Sequence, residues 1–94
     1  MVTYRLDVRP AAERQFSRLS WRTQKEVLTA LDELEADPRH PGIAAVRGKP
    51  GALRARVGDY RILFRIDDKR RVVSVGRIAL RDRVYKRLSD LRWD

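Results

Sequence analysis

The twelve residues from Leu53 to Phe64, LRARVGDYRILF, alternate apolar and basic side chains on both sides of a Gly-Asp pair. Gly58-Asp59 suits a two-residue hairpin turn, and strict alternation is the period of a strand whose two faces differ. Folding about that turn pairs Val57 with Tyr60, Arg56 with Arg61, Ala55 with Ile62, Arg54 with Leu63 and Leu53 with Phe64. Directly paired residues share a face. One face therefore carries Leu53, Ala55, Val57, Tyr60, Ile62 and Phe64, an apolar surface for helices to cover. The other carries Arg54, Arg56, Arg61 and Arg65 around Leu63. Like charges facing each other across a ladder destabilise it, so Arg56 against Arg61 contributes nothing to folding, and an anion between them would resolve the conflict. Exposed arginines on a solvated sheet face also serve solubility.

The rest of the chain supplies the cover. Thr3 to Val8 alternates Tyr4, Leu6 and Val8 against Thr3, Arg5 and Asp7, as a half-buried strand does. Pro10 suits a helix start, and Ala12, Phe16 and Leu19 make that helix amphipathic. Ser20 or Thr23 can cap a second helix along Val27, Leu31 and Leu34, which Asp37-Pro38 ends. Prolines and glycines mark residues 38–52 as a loop. After the hairpin, Asp67-Asp68-Lys69 turns the chain into a last strand near Arg71 to Ala79. Pairing Ile66 with Arg71 sets Arg61 opposite Gly76 and Leu63 opposite Ser74, bordering the arginine groove with small residues that a ligand backbone can approach. The same register sends Arg77 to the core side. Val84, Leu88 and Leu91 fall at helical spacing, which predicts a short C-terminal helix with Arg81 and Tyr85 together on another side. Trp93 is expected to dock on the body, and Trp21 to sit at the helix-helix junction. The expected fold is α+β, β-α-α-β-β-β with a short C-terminal helix, its antiparallel sheet packed by the two N-terminal helices.

Ninety-four residues bound this to one domain, 1–94. With no cysteine there is no disulfide framework or thiolate metal site. The charged N-terminus is unlike a signal peptide, and no run approaches the roughly 18 apolar residues of a membrane span, so the chain reads as cytoplasmic without a membrane partner. Residues 1–46 hold seven basic and seven acidic side chains, while residues 47–94 hold fifteen and six, so the whole net charge of +9 lies in the second half. Such clustering is the footprint of a polyanion partner, nucleic acid first. His40 stands alone in its loop and stays unassigned, and Asp67-Asp68 belongs to a turn. Gly48-Lys49-Pro50-Gly51 lacks the spacing of a phosphate loop.

Two segments carry a family resemblance: Arg56-Val57-Gly58-Asp59-Tyr60-Arg61-Ile62-Leu63-Phe64-Arg65-Ile66-Asp67-Asp68 and the ending Arg77-Ile78-Ala79-Leu80-Arg81-Asp82-Arg83-Val84-Tyr85. In both, and in element order, the chain resembles the RelE/ParE toxins. The resemblance implies the toxin of a type II toxin-antitoxin system. In the RelE branch, which is favoured, it implies a ribosome-dependent endonuclease that cuts messenger RNA without metal or cofactor. Its implied partners are an acidic RelB-like antitoxin from an adjacent gene, the ribosome and messenger RNA, with operator DNA bound by the toxin-antitoxin complex. The family's functional positions fall on Arg54, Arg56, Arg61, Arg81 and Tyr85. Of these Arg61, Arg81 and Tyr85 are the catalytic candidates, while Arg54 and Arg56, with Arg65 and Arg83, are candidates for binding RNA phosphates. Two departures matter. Arg54 and Arg56 stand where relatives often have lysines, and Leu80 where many have histidine, so two kinds of titratable group are missing. Arginine can stabilise phosphate charge but cannot accept a proton at ordinary pH. Tyr85 is thereby the leading base candidate, or else a stacking platform for a nucleotide. The alternative is a ParE-like inhibitor of DNA gyrase without nuclease chemistry; a nucleic-acid-binding module without toxin activity is a further one.

Overall fold

The computed structural model describes residues 3–93. The elements are β1 (Arg5–Val8), α1 (Pro10–Ser17), α2 (Trp21–Ala36), β2 (Ala44–Ala45), β3 (Leu53–Val57), β4 (Tyr60–Asp67) and β5 (Val72–Leu80), followed by a single 3-10 turn at Leu88–Asp90. Pro10 opens α1 with its φ already helical. The Ser20 hydroxyl caps α2 by accepting the Thr23 N–H at 3.2 Å. Gln24 Nε2 donates to the Phe16 carbonyl at 3.0 Å, fastening the two helices at their junction. Trp21, expected at that junction, is instead 69% exposed, with the Lys25 ammonium 5.1 Å from its ring centroid.

The strands form one sheet in the order β1-β5-β4-β3-β2. The β3–β4 hairpin adopts all five expected pairs, from Leu53 with Phe64 to Val57 with Tyr60. Its apolar face joins Val27, Leu31 and Leu34 of α2 and Ala12 of α1 in the main core, where Ile62 and Phe64 are fully buried. Three features depart from the expected sheet. The first strand runs parallel to β5, because two helices intervene and carry the chain back to the starting end. A two-residue strand, β2, forms inside the 38–52 loop and pairs Ala44 with Arg54 and Ala45 with Leu53.

The third departure is the register of β4 against β5. Asp67 pairs with Val72 and Ile66 with Val73, not with Arg71, so the four-residue connection moves on by one to residues 68–71, and Arg71 adopts a left-handed φ of 57°. A bulge then falls between Phe64–Val75 and Leu63–Arg77, leaving Gly76 as the extra residue. The two shifts place Arg61 opposite Ala79 and Leu63 opposite Arg77. Arg77 consequently joins the arginine face instead of the core side. Past the end of β1 the edge of β5 is covered by a side chain: Gln15 Oε1 accepts the Ile78 N–H at 2.8 Å.

The C-terminal segment is not the expected helix. One turn closes where the Val84 N–H reaches the Leu80 carbonyl at 2.8 Å, and the chain then breaks at Arg87, whose φ is 51°. Val84, Leu88 and Leu91 nevertheless point inward, as their apolar character demands. With Val46, Ala52 and Leu63 they build a second, smaller core on the arginine side of the sheet. Leu63 is fully buried there. The tail crosses β5 at Gly76, where a Cβ would stand 2.8 Å from Leu91 Cδ1, 2.9 Å from the Arg92 carbonyl and 2.9 Å from Trp93 Cζ3. The small residue expected to admit a ligand backbone thus admits the protein's own tail.

Candidate functional site

The β3–β4 turn sets the first part of the site. Arg56 and Arg61 pair directly across it, and Leu80 pairs with Tyr60, so β5 delivers the next residue to the same end of the sheet. The Arg81 N–H is anchored there by the Asp59 carbonyl at 2.8 Å. Arg56, Arg61 and Arg81 are therefore gathered around one turn, as the hairpin arithmetic and the ending motif anticipate.

Arg61 and the neighbouring Arg54 are held without being neutralised. Arg61 Nη1 donates to the Gly58 and Tyr60 carbonyls, both at 2.8 Å, and Arg54 Nη1 donates to the Gly42 carbonyl at 3.0 Å. A carbonyl orients a guanidinium but leaves its charge in place. Among the described residues the ion pairs are Arg9–Asp7 and Arg39–Asp68, each at 2.9 Å, and neither belongs to this cluster. The repulsion between Arg56 and Arg61 is left standing, in a geometry suited to a polyanion.

Tyr85 is 40% exposed and belongs to neither core. Its position is set through its backbone. Arg77 Nη1 donates to the carbonyls on either side, Val84 at 2.9 Å and Lys86 at 2.7 Å, while Nη2 donates to Arg87 at 3.2 Å. One rigid planar fork so ties the loop carrying Tyr85 to the middle of the sheet. Partial burial lowers the pKa of Arg77, with Asp90 opposing the shift, and the group stays cationic. Sequence reasoning missed this residue because the expected register pointed it inward. The available signal was Gly76 directly before it, since a glycine inside a strand often marks a bulge.

Other expected residues are placed apart. Arg83 is exposed in the turn after β5, its N–H bonded to the Leu80 carbonyl at 2.9 Å. Arg65 lies at the opposite end of β4, paired with Ser74, with its guanidinium 5.5 Å from the Trp93 ring centroid. Arg81 and Tyr85 do not share a helix face, because there is no helix; the turn and the Arg77 fork relate them instead. His40 Nδ1 lies 2.8 Å from the Pro41 carbonyl in its loop. Asp67 accepts the Arg70 N–H at 3.1 Å, the turn role expected of it.

Residues 6–85 match the family described as the ParE toxin of the type II toxin-antitoxin system parDE, a stretch running from the first strand through Tyr85. The chain belongs to the RelE/ParE superfamily of type II toxins. Within it the toxin is RelE-like. Toxin RelG of Mycobacterium tuberculosis is 36% identical over 58 residues, which are 62% of this chain and 67% of RelG. The RelBE2 toxin-antitoxin complex of the same organism contains a chain that is 31% identical, with a TM-score of 0.76 over 86% of this toxin and 94% of that chain. The archaeal RelE-RelB complex of Pyrococcus horikoshii matches at 25% identity and TM-score 0.73, over 87% and 99% of the two chains. The expected α+β architecture with two N-terminal helices on one sheet is met, while the wholly antiparallel sheet and the C-terminal helix are not.

Proposed function

We propose that the toxin is an endoribonuclease that cuts messenger RNA engaged by the ribosome. The observation that carries this reading is the cluster of Arg56, Arg61 and Arg81 around one turn, with no carboxylate at ion-pair distance among the described residues. In the reaction a ribose 2′-oxygen attacks the adjacent phosphorus, the bond to the 5′-oxygen breaks, and a 2′,3′-cyclic phosphate forms. The 2′-hydroxyl proton must go to a base, and the leaving oxygen must gain a proton. Arg61 and Arg81 hold the scissile phosphate and offset the charge that builds on it. Arg54, Arg56, Arg65 and Arg83 bind the flanking backbone, and Tyr85 accepts the proton.

The partner that restrains this activity is an acidic, RelB-like antitoxin, supported by the RelB and RelBE2 assemblies of the relatives. An acidic chain that folds on binding can cover the arginine face, and the resulting complex would bind operator DNA. The match to the parDE family favours a second reading, inhibition of DNA gyrase by the same surface.

A translation reaction read by primer extension separates the two. Cuts confined to messages on ribosomes, and abolished by Arg61→Ala, are expected. Intact RNA accompanied by gyrase-dependent DNA breaks would reject the nuclease reading in favour of the second.

A further inference from the structure

The arginine face has a second basic centre, away from the cluster at the β3–β4 turn. Arg65 stands four residues along β4 from Arg61, roughly 13 Å at ~3.3 Å per residue. Beside it a cleft of about 180 Å³ opens over β1, β4 and β5, with Val72 and Ser74 as its floor. Arg5, Arg65 and Arg70 contribute three basic residues to its lining, and Trp93 forms a wall. The indole and the Arg65 guanidinium lie together at 5.5 Å, offering planar surfaces against which a base can stack. The wall is held by the fold, since the tail reaches this position through the gap that Gly76 leaves.

We infer that this cleft is a nucleotide subsite: it takes one residue of a single-stranded RNA, with the base against Trp93 and Arg65 and the phosphate on Arg5 and Arg70. The proposal rests on the nuclease reading for its biological setting, though its chemistry stands on the cleft alone. Two carboxylates in the same cleft, Asp7 and Asp67, supply hydrogen-bond acceptors that a nucleotide can use and an acidic peptide side chain cannot. They repel carboxylate side chains, whereas base amino groups and a ribose 2′-hydroxyl can donate to them. Each carboxylate is held in place by a contact of its own, Asp7 by Arg9 at 2.9 Å and Asp67 by the Arg70 N–H at 3.1 Å. An RNA strand passing over the tail that covers Leu63 would meet the turn cluster on one side and this cleft on the other.

The chain has two tryptophans, so Trp21→Phe leaves Trp93 as the only indole reporter. That variant is titrated with a 2′-O-methyl RNA oligonucleotide, which lacks the attacking hydroxyl, and with the same sequence as a duplex. Saturable quenching by the single strand is expected, weakening as salt rises, with a clearly smaller response to the duplex. Adding Arg5→Ala or Arg70→Ala, both exposed positions outside the proposed catalytic set, should weaken binding about tenfold and flatten the salt dependence by about 0.7 per lost phosphate contact. Absent quenching, quenching indifferent to both arginine variants, or equal quenching by polyglutamate would overturn the proposal. The nuclease reading is judged separately by cleavage. If the parent cuts messages while the arginine variants leave oligonucleotide affinity unchanged, the subsite fails and the nuclease stands. If Trp93 responds as described in a protein that cuts nothing, the subsite stands and the nuclease fails.

Discussion

Tyr85 is exposed at 40%, belongs to neither core, and yet sits between two carbonyls fixed by one guanidinium. That combination separates the hydroxyl's role from the loop's. Tyr85→Phe should leave melting temperature and RNA affinity unchanged while lowering the single-turnover cleavage rate by about 10²- to 10⁴-fold, the range for losing a general base. Cleavage at the parental rate would reduce the tyrosine to a stacking platform. Arg77 acts on the loop instead. Arg77→Met leaves the Val84, Lys86 and Arg87 carbonyls without their donor, which should cost about 1–3 kcal/mol in denaturant unfolding. Below the melting transition it should slow cleavage about a hundredfold through misplacement of Tyr85, and Arg77→Lys should not restore the rate, because an ammonium lacks the planar fork. Full activity in the Met variant would show that the fork is structural only. Gly76→Ala puts a methyl group where Leu91, Arg92 and Trp93 already stand, so the tail or β5 must shift. A loss of about 1–3 kcal/mol is expected, together with faster proteolysis behind Arg87. The arginines and the tyrosine were legible in the sequence because alternation and the ending motif mark them. Arg77 was not, since a one-residue bulge reverses which face it occupies.

The β4–β5 turn shows how elements are tied together by charge at the edge of the fold. Asp68 accepts two hydrogen bonds from Arg39 at 2.9 Å and one from the Tyr4 hydroxyl at 2.7 Å, linking the loop after α2, the β4–β5 turn and the chain entering β1. These bonds, the Arg39 one foremost, hold the Asp68 carboxyl at about 2, below the ordinary 3.8. A carboxyl whose pKa is lower in the folded than in the unfolded state stabilises fully above the ordinary value and progressively less as pH falls from about 4 towards about 2. Asp68→Asn should therefore remove part of the acid limb of the stability curve, read as a shallower loss of melting temperature below pH 4. The group is open to solvent, so the effect should be small and should shrink further at high salt. An acid limb identical to the parent's would show that the link does not contribute. The C-terminal segment makes the complementary point about elements. Apolar spacing correctly identified Val84, Leu88 and Leu91 as buried or half-buried, but the segment needs only to present them to Leu63, and a turn with a left-handed break at Arg87 does so without a helix.

Across the whole molecule the sheet separates two kinds of surface. One face is sealed by α1 and α2, and the other is half covered by the tail, leaving arginines exposed at both ends of β4. With a net charge of +9, RNA affinity should fall linearly in log–log terms as salt rises, with a slope of roughly −0.7 for each phosphate engaged. Arg56→Glu and Arg65→Glu together should weaken binding by more than either alone if one strand spans both centres, and filter binding at several salt concentrations measures this. A slope near zero in the parent would exclude a polyanion partner for this face. By itself the sequence determined what is local: the hairpin and its five pairs, the start of α1, the start and end of α2, and the like-charge cluster at the turn, because each depends on alternation, turn chemistry and neighbours a few residues away. Only the tertiary structure decided the parallel pairing of β1, the β4–β5 register, the face of Arg77 and the burial of Leu63. Those depend on which distant segments compete for the same edge and face of the sheet. Gly76 is the case in point: its missing side chain was visible, but that the tail and not a ligand fills the space follows from chain closure that no local pattern records.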